Sequence, residues 1–260
     1  MKIVRYTSRD GREEYGVLSG DSIQRIDGTP YDSIKTTDRY YGLSEVKLLA
    51  PCIPSKIVAL GVNYRSHGEE MGHRIPAEPL IFIKPSTSVI GPGDDIIYPE
   101  SSERVDYEGE LGVVMKAVTR HVSREEAPDY ILGYTCVNDV TARDIQARDK
   151  QWTRAKSFDT FCPIGPCIET ELDPGNAVLE TLLNGEDRQQ TNTSDLIFPA
   201  YELVSCISAV MTLLPGDIIA TGTTSGVGPM QPGDTVEVRI EGIGALINRV
   251  VKPDKLIHST

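Results

Sequence analysis

Long apolar runs are missing from this chain. None reaches the roughly 18 consecutive apolar residues that a membrane-spanning helix requires. The N-terminus, MKIVRYTSRDGREEYGVL, alternates polar and apolar residues where an export signal would carry an unbroken apolar core. A soluble, cytoplasmic protein without membrane association is therefore expected. Positive charge is in short supply as well. Twenty-six basic against 38 acidic residues give a net charge of -12, which disfavours nucleic acid and anionic membranes as partners. The global field does not decide the substrate, because a metal or a local basic cluster can attract an anion against it. Cysteine pairs are lacking too: Cys52, Cys136, Cys162, Cys167 and Cys206 are odd in number and contain no CxxC, so they read as reduced, mostly buried thiols. The nearest pair, in CPIGPC, has the wrong spacing for a zinc knuckle, and its two prolines suggest a turn.

Regular alternation of strands and helices is the next absence, and it argues against a Rossmann fold or a (β/α)8 barrel. No GxGxxG or GKS/T phosphate loop stands at a strand-to-helix junction; TGTTSGVG and EGIG read as tight turns or an active-site rim. What the 260 residues do contain is strand pattern. Residues 1–49 hold short strands (KIVRYTS, EYGVLSG, SIQRID) separated by Gly and Asp turns, as in a small β-rich unit. LLAPCIPSKIVALG then reads as a connector leading into a main domain, residues 50–260, built from KIVALGV, LIFIKP, ELGVVMKAV, YTCVNDVTA, DIIATGT and DTVEVRIEGIG. The pattern predicts two helices. One covers Ser123 to Leu132, with Ser123 and Glu126 as a capping box and Gly133 as the stop; the other covers Tyr201 to Leu214, with Leu203, Ile207, Val210 and Leu214 as its apolar stripe.

Chemistry concentrates in a few places. VDYEGELGVVMKAV reads as one strand whose Glu108 and Glu110, two residues apart, share a face. Adjacent carboxylates repel unless one is protonated, both are hydrated, or a cation lies between them. Asp139, in YTCVNDVTARD, is a third acid among apolar neighbours. Taken singly, each is most simply a hydrated edge carboxylate. Taken together, with no accompanying His or Cys, they suit a hard divalent cation, Mg²⁺ first and Mn²⁺ or Ca²⁺ after it. In GVNYRSHGEEMGH, His67 and Glu70 are three residues apart, so one helical turn would bring them together to deprotonate water, with Glu69 an equally acidic competitor. Lys156 lies in WTRAKSFDTFCPIGP; it is either a lysine whose stem covers apolar surface or, beside a metal, a group that binds a carboxylate or an enolate. Arg143 and Gln146, in TARDIQ, either decorate a short helix or supply further anion contacts.

The ordered series GVNYRSHGEE, EPLIFIKPSTSVIGPG, DYEGELGVVM, GYTCVNDVTARDIQ, RAKSFDTFCPIGP, LNGEDRQQTNT, LPGDIIATGT and GVG resembles the fumarylacetoacetate hydrolase family over roughly residues 56 to 250. The N-terminal unit resembles the small domain that often precedes this fold in 2-hydroxyhepta-2,4-diene-1,7-dioate isomerases. The resemblance implies an α+β fold with a mixed β-roll core and few helices, a homodimer, and a divalent metal held by Glu108, Glu110 and Asp139. It also implies a lid that carries His67 and Glu70, a site lysine at Lys156, and substrate contacts from Arg143, Gln146 and Thr223. Thr224 stands where many relatives have proline.

The implied substrate is a small 2-oxo acid. For an acylpyruvate, His67 and Glu70 would activate the water that attacks the distal carbonyl, and carbon–carbon cleavage would release a pyruvate enolate near Lys156. Loss of carbon dioxide from oxaloacetate passes through the same enolate without water, and dienol–keto isomerisation moves only a proton. The His-x-x-Glu pair favours hydrolysis among the three. An inert binding module with the same fold would be expected to have lost a site residue, and none is missing. Mn²⁺ or Mg²⁺ together with oxalate should raise the melting temperature, since a ligand at 100 times its Kd stabilises the native state by about 2.7 kcal/mol; a thermal-shift assay in which neither metal moves the transition would favour the inert module.

Overall fold

The computed structural model describes residues 1–66 and 76–253. The first 49 residues form β1 (Lys2–Thr7), β2 (Glu13–Ser19), β3 (Ser22–Ile26), β4 (Thr36–Gly42) and β5 (Lys47–Leu49). The chain continues through β6 (Lys56–Leu60), β7 (Ile81–Pro85), β8 (Val89–Ile90), β9 (Asp95–Ile97), β10 (Val105–Tyr107), β11 (Gly109–Met115), β12 (Ile131–Asn138) and β13 (Thr141–Ala142). Two short helices follow, α1 (Arg143–Arg148) and α2 (Thr153–Lys156). Then come β14 (Cys162–Glu169), β15 (Val178–Leu183), β16 (Glu186–Asn192), the longer helix α3 (Ala200–Val210), β17 (Ile218–Thr223), β18 (Gly228–Met230), β19 (Thr235–Ile240) and β20 (Gly244–Val251). This is the strand-dominated α+β architecture that the resemblance implies.

One large mixed sheet organises the molecule in the order β4-β3-β2-β1-β14-β12-β11-β17-β6-β7. Its neighbours run antiparallel except β17 and β6. A second sheet, β16-β15-β19-β20-β9, packs against it, and a small third one joins β13, β10 and β18. β11 and β17 are buried along their whole length, as befits strands covered on both faces. Their side chains alternate between two cores. Leu111, Val113 and Met115 join Leu179, Val238, Leu246, Leu203 and Ile207 on one side. Val114 joins Ile3, Ile26, Ile57, Ile164 and Ile218 on the other. Each such side chain contributes roughly 1.5–3 kcal/mol by leaving water.

The N-terminal strands belong to this sheet edge to edge, since Lys2 pairs with Glu169 and Ile3 with Ile168. Among the described residues, four of the five cysteines are buried and none is paired. No described helix is long and apolar enough to cross a membrane.

Four local expectations need correction. VDYEGELGVVMKAV is two strands rather than one: β10 pairs with β13 and β18 in the small sheet, β11 pairs with β12 and β17 in the large one, and Glu108 lies in the break. The helix expected over Ser123 to Leu132 shrinks to one 3-10 turn, Ala127–Tyr130. Ser123 and Glu126 do exchange the predicted capping bonds, but Pro128 adds no amide donor, and Ile131 and Leu132 are drawn into β12, against β11. α3 stops at Val210, leaving that residue 64% and Leu214 40% exposed, so only Leu203 and Ile207 of the proposed stripe reach the core. CPIGPC forms β14, a strand between β1 and β12, instead of a turn.

A polar joint fixes the far end of β17. Asp217 is fully buried and accepts hydrogen bonds from Ser55 N (2.8 Å), Ser55 Oγ (2.7 Å), Leu214 N (2.8 Å) and Lys56 Nζ (2.5 Å), tying the entry of β17 to that of β6. Removing the carboxylate leaves a half-buried ammonium and part-buried amides without their acceptor. Asp217→Ala should therefore lower stability by about 3 kcal/mol in urea titrations run with a chelator, while divalent-ion affinity at the opposite end of the strand stays unchanged.

Candidate metal and 2-oxo acid site

The break at Glu108 is matched on the neighbouring strand. β12 ends at Asn138 and β13 begins at Thr141, so both members of the β11–β12 pair leave the large sheet together, and Asp139 N donates to Glu108 O at 2.8 Å across the bend. At this corner side chains no longer alternate cleanly between two faces. Glu108, Glu110 and Asp139 each bring a carboxylate oxygen within 4.8 Å of the other two, and all three are buried.

Two glycines permit the close approach. A Cβ on Gly109 would lie 2.1 Å from Thr181 Oγ1, so only glycine fits between the two glutamates. Gly222, at φ +94, has the left-handed backbone that glycine adopts without strain, and its N–H donates to Glu110 Oε2 at 2.8 Å.

Cations surround the triad. Lys156, carried in by α2, donates to Glu108 Oε2 at 2.8 Å and Asp139 Oδ2 at 2.5 Å. Lys84, on β7, donates to Asp139 Oδ1 at 2.5 Å. Arg143, at the start of α1, pairs through Nη2 with Glu108 Oε1, through Nε with Asp106 Oδ2 at 2.9 Å, and through Nη1 with Gln146 Oε1 at 2.6 Å. Burial pushes the Glu108 carboxyl up, but Lys156 and Arg143 outweigh it and hold the group down at about 2. For Lys156, burial opposes the charge, and Asp139 and Glu108 more than restore it, so the ammonium titrates above its ordinary range. Glu110 is the exception. Burial first, then Asp139 and Glu108, drive its carboxyl well above the usual range.

Glu110 Oε1 is buried and has no hydrogen-bond partner among the described residues. A buried acceptor left unpaired is costly, and three converging carboxylates without sulfur or imidazole are the donor set of a hard cation. The residues present thus fit a divalent ion, held by Glu108, Glu110 and Asp139.

Beside the triad opens a cavity of about 330 Å³, whose walls include Glu108, Arg143, Gln146, Trp152, Lys156 and Thr223. All the described sequence-predicted site residues therefore meet here except Glu110 and Asp139, which lie within the triad itself. Thr223 Oγ1 donates to Gly109 O at 2.9 Å and accepts from Gln189 Nε2 at 2.8 Å, leaving one lone pair free. Thr224, the residue in place of proline, is buried, and its carbonyl accepts from the same Gln189 at 3.0 Å. His67 and Glu70 lie outside the described residues.

Sequence reading passed over Lys84, Asp106, Trp152 and Gln189. Lys84 carried the signal that singled out Glu108, a charge in an apolar strand (LIFIKP). The others carried none.

Residues 56–251 match the family described as "Fumarylacetoacetate (FAA) hydrolase C-terminal", and residues 1–51 match "Rv2993c-like, N-terminal". The chain belongs to the fumarylacetoacetate hydrolase family. It is 45% identical over 225 residues to the oxaloacetate tautomerase YisK of Bacillus subtilis, covering 81% of this chain and 75% of that one. The crystal structure of 2-hydroxyhepta-2,4-diene-1,7-dioate isomerase from Mycobacterium marinum superposes with a TM-score of 0.92 at 44% identity, covering 98% of this chain and 100% of that one. Maleylpyruvate hydrolase from Sphingobium sp. SYK-6, in complex with manganese(II) ion and pyruvate, gives 0.81 at 30% identity, with coverage of 98% and 100%.

A cation binds the ionised form of Glu110, whose carboxyl is raised, so Mn²⁺ affinity should rise with pH and binding should release protons in calorimetry across buffers of different ionisation enthalpy. The sign for stability follows from the raised carboxyl: without metal, its contribution is complete below the unfolded value of 4.5 and is lost as pH climbs towards the higher folded value. Glu110→Gln should accordingly melt higher than wild type at pH 8 in chelator, yet bind Mn²⁺ weakly and release no proton.

Proposed function

We propose that this protein is a divalent-metal-dependent enzyme that moves a proton between the keto and enol forms of a small 2-oxo acid, with a 2-oxo dicarboxylate such as oxaloacetate as the substrate class. The observation that carries the reading is a buried ammonium, Lys156, on the wall of a cavity next to the carboxylate triad, with Arg143 and Gln146 on the same wall. Likeness to an oxaloacetate tautomerase at 45% identity supports it.

Mg²⁺ or Mn²⁺ held by Glu108, Glu110 and Asp139 would supply Lewis acidity that favours the enolate of a 2-oxo acid. The remaining work belongs to the chain. Arg143 retains unused N–H groups after serving Asp106, Glu108 and Gln146, and these orient a substrate carboxylate. Lys156 donates a hydrogen bond to the 2-oxygen as negative charge develops there and passes its proton to that oxygen, while the C3 proton goes to solvent water and a solvent proton restores the ammonium, so that composition is unchanged. Leu60, Val62 and Trp152 supply the apolar part of the wall. A homodimer belongs to the same proposal and is checked by light scattering.

A second reading, hydrolysis of an acylpyruvate, is favoured by the His-x-x-Glu spacing of His67 and Glu70 and by likeness to a maleylpyruvate hydrolase at 30% identity. Oxaloacetate decarboxylation uses the same enolate and is the third arm of the test. A panel of oxaloacetate, acetylpyruvate, fumarylpyruvate and a hydroxymuconate-type dienol, assayed with Mg²⁺ and Mn²⁺, should give its highest kcat/KM for oxaloacetate enol–keto conversion. Lys156→Met should lower that kcat by about 100- to 1000-fold, the usual cost of losing one donor to a developing oxyanion. Turnover dominated by acetylpyruvate cleavage, and abolished by His67→Ala, would transfer the assignment to the hydrolase; no divalent-dependent turnover of any 2-oxo acid would end it.

A further inference from the structure

Asp139 is approached by two lysines from two directions. Lys156 Nζ takes Oδ2 and reaches across to Glu108 Oε2, and it lines the cavity. Lys84 Nζ takes Oδ1 and also donates to Val140 O at 3.2 Å. It is absent from the cavity wall and is 0% exposed. Burying an ammonium costs several kcal/mol before pairing, and an apolar side chain of the same volume would serve the β7 packing at least as well. The packing of β7 therefore gives no reason for a lysine at this position; the reason lies in Asp139.

We propose that Lys84 is a positioning residue for the metal centre: from behind the site it holds Asp139 by Oδ1, so that Oδ2 is presented to the cation and Lys156 is free to turn to substrate. The inference rests on the reading of the triad as a metal site. Without Lys84, Asp139 is free to rotate, and pairing of both its oxygens with Lys156 competes with the cation. With Lys84 in place, one oxygen is committed and one positive charge stays on Asp139 without occupying the cavity. Groups that hold a metal ligand from outside commonly account for 10- to 100-fold in metal affinity or activity.

The test uses the full-length protein and Mn²⁺ as probe. Wild type, Lys84→Met and Lys84→Gln are compared by electron paramagnetic resonance titration for Mn²⁺ Kd, and by melting temperature in chelator and in saturating Mn²⁺. Methionine keeps the stem and removes donor and charge; glutamine keeps a donor for Asp139 Oδ1. Lys84→Met should bind Mn²⁺ about 10- to 100-fold more weakly, so that Mn²⁺ raises its melting temperature less than that of wild type, with kcat recovered at saturating Mn²⁺; its melting temperature in chelator also falls, because Asp139 loses one of its two buried counter-charges. Lys84→Gln should recover most of the affinity. Should Lys84→Met not fold, Lys84→Gln alone decides, since affinity near wild type upholds the role and a loss as large as that expected for methionine refutes it. Unchanged or tighter Mn²⁺ binding in Lys84→Met overturns the proposal, as does a fall in chelator melting temperature with the Mn²⁺ increment preserved, which marks a purely structural lysine. A wild type that binds no Mn²⁺ overturns the metal reading itself, a result separate from either of these.

Discussion

Like charges buried side by side are the constraint around which this molecule is arranged. Where β11 and β12 leave the large sheet, Glu108, Glu110 and Asp139 converge out of reach of bulk water. Carboxylates in that position are tolerated only if positive charge meets them or a proton stays on. Lys156, Lys84 and Arg143 arrive from three separate elements, α2, β7 and α1, to meet two of the three acids. Among the described residues, Glu110 receives only a backbone N–H and is left with an oxygen unfilled. The elements that close the corner are thus coupled through charge as well as through packing.

That arrangement links fold to chemistry. A strand pair bent between two sheets can draw together side chains that a flat ladder would leave standing side by side on one face. The bend needs a residue without a side chain at Gly109 and a left-handed one at Gly222, and both stand beside the acids they serve. Strands and helices carry Glu110, Arg143, Gln146, Lys156 and Thr223, and Glu108 and Asp139 stand at the bends between strands, so the groups that would meet substrate are held before it arrives, which is the main economy available to an electrostatic catalyst.

Much of this was legible in the sequence, and unevenly so. The acids could be found because charge interrupts apolar strand, and the order of the motifs identified the family. The break at Glu108 could not, since Val105–Tyr107 and Gly109–Met115 are both good strand sequence and only their different partners separate them. Likewise the capping box at Ser123 formed as read, but a cap specifies where a helix starts and not whether the following residues are claimed by a sheet. Ile131 and Leu132 were claimed by β12. Asp106 and Gln189 escaped notice because their importance lies in what they touch: the guanidinium of Arg143, and the backbone N–H of Gly109 with the hydroxyl of Thr223. Contacts across 37 or 80 residues leave no local mark.

The seam between β1 and β14 has a consequence for how such chains can be assembled. Its ladder is short, two paired positions, yet Ile3 and Ile26 sit in the same core as Val114 of the strand that carries Glu110. A chain trimmed of its first 49 residues would bare both the hydrogen-bonding edge of β14 and an oily face over the central strands, a combination that recruits other molecules into aggregates. The leading segment therefore works as a fitted cover. Exchanging it between family members would succeed only where the replacement offers a matching strand edge and isoleucine-sized plugs for the same hollows.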